Sequence, residues 1–278
     1  MIKMLFLLTA KPGMPREDFI ARYESDHVAV SMATVPFYHE YRRNFLLPDS
    51  MVAVSHVGPE AQRPQFDVIT QLWFENQAAV DAMQQEMSET DAGELIAEDE
   101  RHQFDRTRML MVVAEEYITP AERLMPPPEG PGMKPAVKMI CTMRRRPGMS
   151  REEFISYYET GHAEVAMCTL VDDQGRCVFG QYRRTFPVPG GTTQIGDADA
   201  APYAYDFDVM TEIWFWTTAD YEAFHALCSR PEVAKIMQED EAKLFDMPYT
   251  VMFLADEYIS TPAQCAAAHA ALIARRAA

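Results

Sequence analysis

Two histidines stand at the same place in a repeated aromatic pattern. Phe19, Tyr23 and His27 follow one another at spacings of four, and Phe154, Tyr158 and His162 do the same. On a helix that spacing puts all three side chains on one face. A histidine there, at the mouth of a cavity, could take a proton near neutral pH. The plainer alternative is a core histidine hydrogen-bonded to backbone. Tyr41 and Arg43 share a face of a predicted strand, as do Tyr182 and Arg184. An inward arginine could hold a phenolate or carboxylate, and an inward tyrosine could relay a proton. Alternation alone leaves open which face is inward.

A third segment alternates more tellingly. Val68, Thr70, Leu72 and Phe74 point one way, and Asp67, Ile69, Gln71 and Trp73 the other. In the second occurrence the latter set is Asp208, Met210, Glu212 and Trp214. The first set suits packing under helices. The second mixes acid, amide and tryptophan, odd for a solvent face and costly for a dry core. A cavity between two sheets accommodates both, with Asp67 and Asp208 as candidate catalytic acids and Trp73, Trp214, Gln71 and Glu212 as substrate contacts. The alternative is that Asp67 and Asp208 each pair with an arginine of the neighbouring strand as a structural bridge.

The elements that must position these residues come in duplicate. Lys3–His27 aligns with Lys138–His162 at a constant offset of 135, with 12 of 25 positions identical. Tyr41–Phe45 returns at Tyr182–Phe186, and Phe66–Phe74 at Phe207–Phe215, both at offset 141. So long a period indicates a duplicated domain and not a solenoid. Each copy reads strand, helix, strand, strand, helix, strand. The first strands are Ile2–Thr9 and Val137–Met143, followed by Pro-Gly turns at Pro12-Gly13 and Pro147-Gly148. Ser150 and Glu153 form a capping-box pattern before the helix of the second copy, where the first copy has Pro15. The second helical regions, about Gln77–Phe104 and Ala219–Phe245, are expected to break near Gly93 and Pro231. The closing strands are Arg108–Glu115 and Thr250–Asp256. This order predicts two tandem ferredoxin-like α+β domains, at 1–119 and 137–260, each with helices on one sheet face only. The bare faces need cover, and each copy can supply it to the other. Residues 120–136 read as a stiff linker with six prolines and two glycines, and residues 261–278 as a helical tail. The long inserts Leu47–Gln65 and Pro187–Asp206 read as irregular lids.

Composition narrows the function. A net charge of −17 argues against a nucleic-acid partner, whose phosphates call for a basic stripe. No stretch reaches the roughly 18 apolar residues of a membrane span, and no signal peptide is evident, so a cytoplasmic protein is expected. All five cysteines lie in the second half of the chain and the first copy has none, which speaks against a shared disulfide or zinc framework. Phosphate-loop, dinucleotide, zincin and nucleophile-elbow motifs are absent, so neither metal nor cofactor is expected. The 19 methionines suit adaptable packing around an aromatic ligand.

Taken in order, Lys-Met, Pro-Gly-Met-x-Arg-Glu-x-Phe-Ile, Tyr-Glu-x-x-His, Tyr-Arg-Arg, Phe-Asp-Val-x-Thr-x-x-Trp-Phe and Glu-Asp-Glu before Phe-Asp resemble the EthD family, twice over. The resemblance runs from about Ile2 to Tyr117 and from Val137 to Tyr258. It implies an intrachain version of the dimeric α+β barrel, two ferredoxin-like units around a central cavity. Members of that superfamily include cofactor-free monooxygenases, cyclases, isomerases and dehydratases of aromatic or polyketide-like molecules, and others bind heme. The family often carries Asn-His-His before the second strand. Here the residues are Ser25-Asp26-His27 and Thr160-Gly161-His162, so one histidine per copy carries over.

The expectation is a cofactor-independent lyase or dehydratase acting on a small phenolic or polyketide-like substrate, losing water or formaldehyde. His27 or His162 would be the base, a second-strand arginine or tyrosine would steady the anion, and Trp73 or Trp214 would stack on the ring. A cofactor-free monooxygenase or isomerase, and a non-catalytic ligand-binding or accessory protein, are the alternatives. A homodimer of the fused chain is a further option.

Overall fold

A computed structural model describes residues 1–35, 38–52, 64–130 and 132–276. The first half contains β1 (Ile2–Leu8), α1 (Arg16–Arg22), α2 (Val28–Thr34), β2 (Tyr38–Met51), β3 (Val68–Phe74), α3 (Gln77–Glu89), α4 (Ala92–Gln103) and β4 (Met109–Ile118). The second repeats the order with β5 (Val137–Met143), α5 (Arg151–Tyr157), α6 (Ala163–Thr169), β6 (Gln181–Ile195), β7 (Val209–Phe215), α7 (Thr218–Cys228), α8 (Pro231–Leu244) and β8 (Val251–Ser260). A last helix, α9, spans Pro262–Arg276.

The strands close into one antiparallel barrel in the order β1-β3-β2-β8-β5-β7-β6-β4. Two seams join the halves, β2 with β8 and β4 with β6. Closure removes every sheet edge, which two separate ferredoxin-like sheets would each leave exposed. Much of what read as irregular insert is seam strand. β2 runs on to Met51, and β6 runs through Pro187, Pro189, Gly190 and Gly191 to Ile195, pairing with Met109–Val112 of β4. Residues 53–63 of the first insert lie outside the described residues.

The pleat sorts the side chains. Met4, Leu8, Leu72 and Phe74 turn outward beneath the helices, while Leu5, Leu7, Ile69, Leu110, Ile140 and Phe253 fill the barrel. Across the barrel lies a buried polar layer. Glu212, fully buried, receives Lys3 Nζ at 2.9 Å, Lys138 Nζ at 2.7 Å and Gln71 Nε2 at 2.9 Å. Trp73 Nε1 donates to Glu116 at 2.8 Å and Trp214 Nε1 to Glu257 at 2.9 Å. Gln71 and Glu212 occupy equivalent positions, so the two halves meet as acid against amide.

The ends of the halves cross over. Beyond β8, α9 packs on α2 and sinks Cys265 into the first half's core. Beyond β4, Leu124 enters the second half's core, and Met125 N donates to Phe179 O at 2.9 Å.

Candidate functional site

The first helix does not run evenly into α2. Between them Tyr23–His27 forms a π-turn, with the amide of Val28 donating to Tyr23 O, five residues back. Tyr158–His162 repeats it between α5 and α6. Such turns are rare and concentrate at functional sites. The motif residues explain how it is held. Tyr23 stands 2.5 Å from the Thr70 hydroxyl of β3. Glu24 accepts both prongs of the Arg43 guanidinium on β2, Nε at 2.9 Å. His27 Nδ1 lies 2.7 Å from Asp99 Oδ2 on α4. Three residues of one turn are thus tied to three elements. The second half copies every tie: Tyr158 to Thr211 at 2.6 Å, Glu159 to Arg184, and His162 Nδ1 to Asp240 Oδ2 at 2.7 Å.

Arg43 and Arg184 therefore serve the turn, and not Asp67 or Asp208. Asp67 accepts from the Ala10 amide at 2.7 Å, and Asp208 from the Arg145 amide at 2.9 Å with the Arg145 guanidinium 3.5 Å from its other oxygen, fastening the turns after β1 and β5, so an arginine bridge forms at Asp208, though with Arg145. Trp73, Trp214, Gln71 and Glu212 face inward, as the alternation indicates, but into the packed polar layer of the barrel. Trp214 and Arg43 also border a groove of about 1070 Å³ beside α9.

Between the helices and the outer face of the first half's sheet lies a cavity of about 360 Å³. His27, Tyr23, Tyr41, Ser31 and Thr70 line one part, and Leu8, Leu72, Met83, Met87, Ile96, Met109 and Met111 much of the rest. Of the residues singled out in the sequence, the structure brings His27 and Tyr41 together here. The His27 ring lines the cavity while its Nδ1 is engaged by Asp99. Burial pushes the Tyr41 hydroxyl up to about 12, so it stays protonated at neutral pH. It stands against Tyr23 and Ser31 without a well-formed hydrogen bond. Glu100 also faces the cavity. Burial raises its pKa against the pull of Arg106, its ion-pair partner, and of His27.

The equivalent space in the second half shrinks to about 60 Å³. His162 and Tyr182 remain on its wall, but Met83 is replaced by Phe224, Tyr38 by Phe179 and Ser31 by Ala166. Phe224 packs on Phe215 and Phe179, with ring centroids 5.4 and 6.2 Å away. Arg106 has become Met247.

Asp99, Glu100 and Arg106 escaped the reading of single residues. Asp99 and Glu100 lie in the repeated Glu-Asp-Glu motif, the one sequence signal that pointed to them. Among the described residues no cluster of three or more His, Cys, Asp or Glu side chains is placed to hold a metal ion. No helix among them is long and apolar enough to cross a membrane.

The model of the EthD domain matches residues 11–107 and again 146–248. The chain belongs to the EthD family. Its two EthD units are the two halves of the barrel. Among solved structures, an anthrone oxidase-like protein superposes with a TM-score of 0.54 at 10% identity, over 93% of this chain and 92% of that one. A protein described as a monooxygenase from Lactobacillus acidophilus NCFM gives 0.46 at 9%, over 94% and 96%. A chlorite dismutase variant from Candidatus Nitrospira defluvii gives 0.44 at 10%, over 96% and 95%. At these identities the likeness is one of fold. No curated protein sequence matches this EthD chain.

Proposed function

We propose that the first half is a cofactor-independent lyase or dehydratase for a small phenolic or polyketide-like aromatic molecule, with His27 as general base. The observation that carries this reading is the His27–Asp99 pair on the wall of an apolar cavity. A carboxylate on Nδ1 selects the tautomer whose Nε2 lone pair can accept a proton, and steadies the imidazolium that forms. The volume is at the small end of the roughly 300–1,000 Å³ of ligand pockets, and the methionine-rich wall suits flat rings.

The step balances without an oxidant. A phenolic O–H breaks and its proton passes to His27 Nε2. The electron pair enters the ring and expels a benzylic hydroxyl, which takes a proton from Tyr41 and leaves as water. Proton return from His27 to Tyr41, through solvent, restores both groups. His162 keeps its aspartate but has no room for a substrate, so it is assigned no part in turnover.

The test is incubation of the purified protein, with no cofactor added, with hydroxymethyl phenols and anthrone-type carbon acids, read by product mass. Loss of water or formaldehyde is expected. His27→Ala should lower the rate by about 10²–10⁴-fold, and His162→Ala by less than about threefold. Gain of oxygen would replace the lyase reading with a monooxygenase. Unchanged masses and unchanged compounds throughout would favour a binding role. Full activity in both single variants and in the double variant would remove histidine from the mechanism.

A further inference from the structure

We propose that the end of β6 and the residues after it, Ile195–Asp197, supplied by the second half, decide which molecules the first half's cavity accepts, and that they favour an uncharged ring. The inference rests on the reading of that cavity as the substrate site. Ile195 and Gly196 form part of the cavity wall although they belong to the other half of the chain. Ile195 is placed by pairing with Met109 across the seam, and the Asp197 amide donates to Arg106 O at 3.1 Å. Gly196 between them has φ +97°, and a Cβ there would meet Arg106 O at 2.2 Å, so the chain passes this point only as glycine.

The charges at this wall are arranged by the same segment. Arg106 Nε donates to Asp197 Oδ1 at 2.9 Å, while its Nη1 engages Glu100 inside the cavity. The guanidinium is thus faced by two carboxylates, one from each half. Glu100, with Asp99 beside it on α4, makes the surroundings net acidic. An anionic substituent arriving here would meet carboxylate repulsion, and among the described residues the wall offers no uncommitted cation to offset it, whereas a neutral ring meets Ile195, Met109 and Met111. The second half lacks the device, since Met247 stands in place of Arg106. One copy has therefore become the specificity wall of the other.

Two fluorescent probes with one skeleton test this: N-phenyl-1-naphthylamine, which is neutral, and its 8-sulfonate. The full-length protein should bind the neutral probe at least about tenfold more tightly than the sulfonate. Asp197→Asn, which uncovers part of the Arg106 charge, should narrow that ratio at least about threefold. Ile195→Trp, which fills the wall, should weaken the neutral probe at least about tenfold. Both wall variants folding, by an unchanged melting profile, yet keeping wild-type affinities and ratio would overturn the inference. If Ile195→Trp fails to fold, an unchanged ratio in Asp197→Asn overturns it alone, since Asp197 is an exposed side chain. Absence of turnover together with the expected probe shifts would sink the catalytic reading and leave this one standing.

Discussion

Glu212→Gln is the sharpest probe of the barrel's polar layer, because shape is kept and only charge and one donor change. The carboxylate receives three donors. Oε1 takes Lys138 and Gln71, and Oε2 takes Lys3. A glutamine would keep its oxygen at the doubly bonded position and turn its NH₂ toward the Lys3 ammonium, donor against donor. Lys3 retains Glu116 at 2.8 Å and Lys138 retains Glu257 at 2.7 Å, so neither cation is abandoned. Breaking a buried pair costs about 3–5 kcal/mol, and the retained partners place this case near ~3 kcal/mol. For a chain of this size that is a fall in Tm of roughly 6–12 °C, measurable by calorimetry. The pH dependence adds a second signature. Burial alone would raise the Glu212 pKa, but Lys138 and Lys3 outweigh it and hold the carboxyl well below its usual range. A depressed folded pKa contributes stability that is complete above the unfolded value of about 4.3 and is lost as pH falls through the folded value. The gap between wild type and variant should be constant from neutrality to about pH 5 and close progressively in stronger acid. A loss below about 1 kcal/mol at pH 7, or a gap that widens in acid, would refute the reasoning.

Three further outcomes follow from the site and its frame. Asp99 Oδ2 accepts from both His27 Nδ1 and Gln103 Nε2, each at 2.7 Å; Asp99→Asn keeps the shape but not the charge that steadies the imidazolium, so it should lower turnover by up to about 10⁴-fold with a melting temperature within a few degrees of wild type. Met83→Phe installs the second half's residue in the open cavity and should weaken neutral-probe binding by about tenfold with a melting temperature within a few degrees of wild type. Ser150→Ala removes a capping box completed by Glu153 and should cost about 1 kcal/mol in chemical denaturation, whereas Pro15→Ser in the first half should gain some of it.

How much of this could be read from the chain depended on range. The duplication, the order of elements and the sorting of Thr70 and Leu72 from Gln71 and Trp73 are local patterns, and they carried through to the barrel. β5 keeps the limits its sequence suggested. The seam strands did not show, because Pro187, Pro189, Gly190 and Gly191 disfavour strand locally and β6 is held there by pairing with β4. The π-turns were hidden because a spacing of four looks the same in a regular helix. The cavity's position was missed for a physical reason: inward acids suggested a polar hollow between the sheets, whereas Lys3 and Lys138, reaching in from the first strand of each half, neutralise and fill that space. Asp99 lies 72 residues from His27, and only the repeated acidic motif hinted at it.

The crossing ends of the chain bear on when the molecule can exist at all. Cys265 belongs to the core of the first half, yet it is made after every strand of both halves. A ribosome that has finished residues 1–118 has released every strand of that half but not the helix that caps it, nor β8, the strand that closes its seam at β2. Multidomain chains commonly fold in the order of their synthesis, one unit at a time. Here the earlier unit must wait for parts of the later one, so the first half is at its most exposed during translation of the second. The histidine site inherits that schedule: part of its wall, Ile195 and Gly196, is written in the second half.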